Sequence, residues 1–225
     1  MVLTFCLLGY ERMNTVVDIC VGWRRLSHGI LHQDIITCLS AYHNAKGHFF
    51  SGSRDCSVRL WDARSPTSAA IFGQTGKESA IVAHDGMLTC VDSNGYLLAT
   101  GGLDKKVKIW DLRTVSASGC NPIRQIPIDD TVVLKVALGL SGSYAAVSTL
   151  SGLYLADVGT GSFTRSLEFS DRRTIRRYHD LAWSDSVLYA AGDDCRVDVY
   201  NIGSGAAAAA GGGGGGGGGS GGGAQ

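Results

Sequence analysis

Two segments of this chain align with each other without a gap, and that alignment constrains the fold more than any other feature. Phe49-Phe50-Ser51-Gly52-Ser53-Arg54-Asp55-Cys56-Ser57-Val58-Arg59-Leu60-Trp61-Asp62 lies over Leu98-Ala99-Thr100-Gly101-Gly102-Leu103-Asp104-Lys105-Lys106-Val107-Lys108-Ile109-Trp110-Asp111. Each reads as an apolar strand, a turn carrying Asp, a second alternating strand and then Trp-Asp. Upstream, His32-x-Asp34-Ile35-Ile36-Thr37-Cys38-Leu39 matches His84-Asp85-Gly86-Met87-Leu88-Thr89-Cys90-Val91, so a His precedes the first strand of both units. A unit that recurs cannot bury its apolar face alone and must stack on its neighbours.

The pattern extends in both directions. Asp193 to Asn201 repeats the second strand with Tyr200 in the Trp position, and His179-Asp180-Leu181-Ala182-Trp183 reads as its His and inner strand. Ser143 to Asp157 keeps two strands, with Ala156 in the Trp position, but lacks the His, the Asp and the Trp. Asn14 to Cys20 matches Asp55 to Trp61 position for position. The Trp-equivalent positions are then 20, 61, 110, 156 and 200, spaced by 41, 49, 46 and 44 residues. One further short segment follows each repeat, at Ser68 to Phe72, Ile123 to Ile128 and Ser162 to Phe169, and reads as an outer strand.

Four short strands per unit, a period of roughly 40–45 residues and Trp-Asp at the third strand resemble the WD40 family. The resemblance covers about residues 1–202 and implies an all-β WD40 β-propeller with four to five recognisable blades of four antiparallel strands. Its limits are a partial blade over 1–26 and repeats at about 27–66, 67–115, 116–160 and 161–202. WD40 propellers usually have seven blades, so the propeller is read as incomplete. It is a piece of a larger ring, a ring completed by another chain, or a small closed ring. From Gly203 the chain holds Ala206 to Ala210, an unbroken Gly211 to Gly219 and no large apolar side chain, so 203–225 is expected to be disordered.

In WD40 proteins a buried polar chain of Asp, His, Ser or Thr, and Trp often fastens a blade. The resemblance places such structural tetrads on His32, Ser51, Asp55 and Trp61, and on His84, Thr100, Asp104 and Trp110. A buried carboxylate needs a donor, His supplies one, the hydroxyl passes the bond on, and the indole N–H ends the chain. An Asp-His-Ser set also suggests a catalytic triad, but here it recurs at the blade period beside Trp, so no catalytic residue is assigned and no enzyme is expected. The blades ending at Asp157 and Asn201, with the set lost or reduced, should be looser.

Other signals bound the function. Lys plus Arg and Asp plus Glu number 20 each, so no global field draws the chain to nucleic acid or an anionic membrane. Seven cysteines without a Cys-x-x-Cys pair give no metal-ligand spacing, and neither metal nor cofactor is expected. All seven are read as reduced thiols in the cytoplasm or nucleus. Val2 to Leu8 is too short to span a membrane. Gly9, Gly52, Gly101, Gly102 and Gly192 are read as small residues at strand ends that permit turns. Arg172-Arg173-x-x-Arg176-Arg177 is read as a solvated loop, with an acidic partner or RNA phosphate as the alternative.

The implied function is a protein–protein interaction scaffold in a multiprotein complex. One alternative rests on the sixteen residues Phe49 to Arg64 and Leu98 to Arg113, which resemble the box of WD40 substrate receptors of cullin-RING ubiquitin ligases. In that family the final Arg reaches the ligase adaptor, so Arg64 and Arg113 would be the partner contacts. The second copy departs from the box at Ala99. A subunit of an RNA-processing complex is the minor alternative.

Overall fold

The computed structural model describes residues 20–21, 24–25, 32–42, 44–65, 68–75, 81–115, 120–128, 131–167 and 177–202. The expected partial blade over 1–26, except for a two-stranded ribbon of β1 (Cys20–Val21) and β2 (Arg24–Arg25), lies outside these residues, as do the tail and Arg172, Arg173 and Arg176.

The rest is antiparallel β. The first sheet runs β3 (Ile36–Ala41), β4 (His48–Ser53), β5 (Val58–Asp62), β6 (Ser68–Phe72), each strand paired with the next. A ribbon of β7 (Gln74–Thr75) and β8 (Ile81–Val82) leads to the second sheet, β9 (Leu88–Asn94), β10 (Leu97–Gly102), β11 (Lys106–Asp111) and β12 (Arg124–Pro127). The third is β13 (Val133–Leu138), β14 (Tyr144–Thr149), β15 (Leu153–Asp157) and β16 (Ser162–Ser166). The fourth has three strands among the described residues, β17 (Tyr178–Ser184), β18 (Val187–Gly192) and β19 (Val197–Asn201). The only helical element described is a single 3-10 turn at Leu112–Thr114. These sheets are propeller blades, with β3, β9, β13 and β17 as inner strands.

Every inner strand carries one register shift against the strand beside it, at Thr37, Thr89, Leu134 and His179. A bulge adds local twist to a strand. Its recurrence at the same place gives four blades of the same shape from different sequences, and it fixes which residues are equivalent.

Each pair of neighbouring blades encloses its own core. Phe50, Val58 and Phe72 of the first blade meet Leu88, Val91, Leu98 and Trp110 of the second. The Phe72 ring stands edge-on to both Phe50 at 5.9 Å and Trp110 at 5.8 Å, an arrangement aromatic quadrupoles favour. Val107, Ile109 and Ile126 of the second blade meet Val133, Val136 and Val147 of the third, and Ala146 and Leu153 of the third meet Leu181 and Leu188 of the fourth.

Gly52 and Gly101 serve this packing rather than a turn. A Cβ on Gly101 would stand 2.4 Å from Val133 Cγ1 and 2.8 Å from Cys90 Sγ, and one on Gly52 would stand 3.1 Å from Leu88 Cδ2 of the next inner strand and 2.6 Å from Cys38 Sγ of its own blade. Only a residue without a side chain lets the next inner strand approach this closely.

Candidate functional site

Two polar chains run through the first and second blades. His32 Nδ1 lies 2.9 Å from Asp55 Oδ2, and its Nε2 lies 2.6 Å from Ser51 Oγ, which accepts the Trp61 indole N–H at 2.7 Å. In the second blade His84 Nδ1 lies 2.8 and 2.9 Å from the Asp104 oxygens, His84 Nε2 lies 2.8 Å from Thr100 Oγ1, and Trp110 Nε1 donates to Thr100 Oγ1 at 2.9 Å. A carboxylate only accepts, so Nδ1 carries the imidazole proton and Nε2 takes the hydroxyl proton. The hydroxyl oxygen then has a lone pair free for the indole.

The turns complete the carboxylate shells. Asp55 accepts from the backbone of Gln33 at 2.8 Å and of Ser57 at 2.9 Å, and from the Ser57 hydroxyl at 2.6 Å. Asp104 accepts from the backbone of Asp85 at 3.2 Å and of Lys106 at 3.3 Å. Burial pushes both carboxyls up, but the hydrogen bonds and charge of His32 and His84, with the turn hydrogen bonds, outweigh it: Asp55 is held well below the ordinary carboxylate value, and Asp104 below it. Burial moves His84 the other way, below the usual imidazole value, by more than Asp104 restores. Ser51, Thr100, Trp61 and Trp110 have no exposed surface, and the hydroxyls are enclosed by imidazole and indole, which leaves no approach for a substrate carbonyl.

The third and fourth blades are fastened differently. The position of Ser51 and Thr100 is held by Val147 and Ala190, and Ser148 Oγ donates instead to the Tyr178 carbonyl at 2.7 Å. His179 does not occupy the position of His84. Register places Tyr178 with Leu88, so His179 coincides with the bulge residue Thr89 and is exposed. The buried polar group is made by Tyr178, whose hydroxyl donates to Asp198 Oδ2 at 2.7 Å and lies 3.1 Å from the Tyr200 hydroxyl.

A further set of polar contacts, which the repeat pattern does not reveal, ties the inner strands to one another. Asp92 Oδ2 accepts from the Leu138 N–H at 2.7 Å, and its Oδ1 lies 3.4 Å from Ser40 Oγ, so one side chain spans β3, β9 and β13. Ser93 donates to the Ala41 carbonyl at 2.8 Å, Thr89 to the Val133 carbonyl at 2.7 Å, and the Trp183 indole to the Ala137 carbonyl at 3.0 Å. The sequence signal for this set is Asp92 itself, a carboxylate that directly follows the apolar Cys90 and Val91 within a strand. The four inner strands meet around a cavity of about 280 Å³. Among the described residues no cluster of three His, Cys, Asp or Glu side chains is placed to hold a metal ion.

Arg64 and Arg113 stand at the ends of β5 and β11, outside the polar chains. Their side chains are 76% and 66% exposed. Each guanidinium folds back on its own strand. Arg64 Nε and Nη2 donate to the two Asp62 oxygens at 2.9 Å, and Arg113 Nε and Nη2 donate to Asp111 at 2.9 and 2.6 Å. Hydrogen bonds from Arg64 hold the Asp62 carboxyl down at about 2. The Arg113 guanidinium also lies 5.5 Å from the centre of the Tyr96 ring.

The comparisons with known proteins agree with this architecture. Residues 26–62 and 76–111 match the family model described as WD domain, G-beta repeat. Human THO complex subunit 6 is 29% identical over 177 residues, which cover 76% of this chain and 49% of that protein. Pre-mRNA-processing factor 19 of Oryza sativa subsp. japonica is 36% identical over 43% of this chain and 16% of its own length, and the ribosome biogenesis protein WDR12 homolog of Ixodes scapularis is 37% identical over 32% and 16%. The chain spans half or less of the length of these relatives. Among solved structures, the crystal structure of the computationally designed Ika4 protein superposes with a TM-score of 0.60 over 80% of this chain and 99% of that one, at 19% identity.

Proposed function

From a chain that carries WD40 repeats folded as propeller blades, we propose a protein–protein interaction scaffold that works as one subunit of a multiprotein complex in the cytoplasm or nucleus. The observation that carries this reading is the direction in which the chain spends its chemical groups. The imidazoles, carboxylates and hydroxyls of the two polar chains are buried within their blades, while the turns expose apolar side chains. Tyr96 in the β9–β10 turn and Leu140 in the β13–β14 turn are each 56% exposed, and Ile123 before β12 is 41% exposed. Exposed apolar groups on a braced frame suit partner binding. The relatives favour an RNA-processing or ribosome-building complex, since one is a subunit of the THO complex and two are a pre-mRNA-processing factor and a ribosome biogenesis protein. The tetrads on His32 and His84 then act as blade fasteners, with repeat limits near 27–66, 67–115, 116–160 and 161–202.

Cross-linked affinity purification of the full chain tests this reading. A defined set of partners recovered in constant proportion supports it, and a chain recovered alone overturns it.

A second reading has its own observation. Arg64 and Arg113 are exposed at matching positions of adjacent blades, as contacts of a cullin-RING ligase adaptor would be. Both forks are already held by an aspartate, so an adaptor carboxylate would compete with Asp62 and Asp111 for them. Under this reading a cullin adaptor appears in the same purification, and the Arg64→Ala, Arg113→Ala double variant no longer recovers it. Recovery unchanged in the double variant removes the reading.

A further inference from the structure

The cavity between the inner strands holds a largely buried carboxylate, Asp92, that forms no ion pair among the described residues. Three charged side chains line the cavity, Asp92, Lys135 and Asp180. Lys135 Nζ is bound to Asp180 at 2.8 Å, and its positive charge is the weakest of the influences that favour the Asp92 carboxylate. No described cation stands within ion-pair distance of Asp92, whose shell is the backbone N–H groups of Leu138 and Ser93 and the long Ser40 contact. Burial disfavours its charge more than these bonds support it, so the carboxyl is raised above its ordinary value. A desolvated carboxylate is one that an incoming cation stabilises strongly.

Size and wall narrow the occupant. A volume of about 280 Å³ lies at the floor of the roughly 300–1,000 Å³ typical of small-molecule sites. It suits one long side chain rather than a cofactor. The Trp183 indole stands in the wall, fixed by its bond to the Ala137 carbonyl. Leu140 also lines the cavity and is 56% exposed, so the cavity reaches the surface at the β13–β14 turn, on one of the turns that expose apolar groups.

We propose that this cavity receives one arginine side chain from a partner protein, with the Asp92 carboxylate as counter-ion and the Trp183 indole as wall. Arginine is chosen over lysine because a planar guanidinium pairs with a carboxylate and stacks on an indole at once. The proposal deepens the scaffold reading and rests on it.

The test uses the full chain and two capped tripeptides, acetyl-Gly-Arg-Gly-amide and its citrulline counterpart, which keeps the shape and removes the charge. Titrations followed by calorimetry or NMR should show the citrulline peptide binding roughly tenfold or more weakly. Asp92→Asn should abolish the difference. Because Asp92 also braces three strands, Asp180→Asn is the companion variant. Asp180 is 69% exposed, so its loss spares the fold while releasing Lys135 to neutralise Asp92. It too should weaken the arginine peptide. Equal binding of the two peptides, no binding of either, or full discrimination in both variants overturns the proposal. If discrimination fails while cross-linking still recovers a complex, the cavity assignment falls and the scaffold stands. If discrimination holds while the chain is recovered alone, the reverse is true.

Discussion

Tyr178 donates its hydroxyl to Asp198 across the fourth blade at 2.7 Å, a bond that takes over the fastening done by histidine and aspartate in the first two blades. Tyr178→Phe should therefore destabilise the protein by about 1–3 kcal/mol, because a buried carboxylate loses a donor. His179→Ala, at the exposed bulge position beside it, should leave the urea midpoint within about 0.5 kcal/mol of wild type. Denaturant melts of the two variants check this, and the opposite ranking would restore the histidine as the fastener.

His84→Ala and Asp104→Ala should each cost about 1–3 kcal/mol, since each strands the buried partner of a chain that ends on Trp110. Asp157→Ala should cost less. Its carboxylate accepts only a turn N–H, from Thr160 at 2.9 Å, and joins no buried chain. Equal midpoints for Asp104→Ala and Asp157→Ala would refute the ranking.

Stability should fall in acid in two stages. Burial lowers the His84 pKa in the folded state, so its contribution is present above the unfolded imidazole value of about 6.5 and is lost as pH falls below it. Asp55 and Asp104 are lowered despite burial, so theirs is present above the unfolded carboxylate value of about 3.9 and is lost as pH falls toward the folded values. Urea midpoints measured from pH 8 downward should be flat at first, decline below about 6.5 and steepen below about 4. Asp104→Asn should flatten the second stage.

Thiol labelling should separate the cysteines by blade position. Burial raises Cys38 to about 11 and Cys90 to about 12, so neither forms thiolate at neutral pH. Cys195 is exposed at the β18–β19 turn. Iodoacetamide at pH 7.5, read by peptide mass spectrometry, should modify Cys195 in the native protein and reach Cys38 and Cys90 only after denaturation.

The first two blades were legible because their turns and strands align residue for residue, and the third and fourth kept enough of the period to place Ala156 and Tyr200 opposite the Trp positions. The fourth inner strand falls where Leu181 to Trp183 was read, but its histidine was misassigned for a local reason. His179-Asp180 imitates the turn that precedes β9, but the strand begins one residue earlier at Tyr178, and a bulge absorbs the histidine. The role of Asp92, a visible carboxylate in a strand, was hidden for a different reason. Its partner Leu138 is 46 residues away on another blade, and contacts between repeats leave no trace in a pattern read within one repeat. Gly52 and Gly101 were noticed but misassigned, because a backbone approach between blades looks in sequence like any turn.

Ser40 and Asp92 occupy the same register position on adjacent inner strands, Ser40 opposite Phe50 and Asp92 opposite Ala99, and they touch. A second blade copied beside itself would set carboxylate against carboxylate at that contact. The indole that reaches Ala137 from β17 is likewise particular to its place: β9 carries the smaller donor Ser93 at that register position, and β13 carries Leu138, whose side chain has no donor. The repeats therefore share a shape but not an interface, and their order along the chain is itself information. Shuffling them would conserve every strand and still fail to rebuild the contacts between blades, because each blade is written to be read by one particular neighbour.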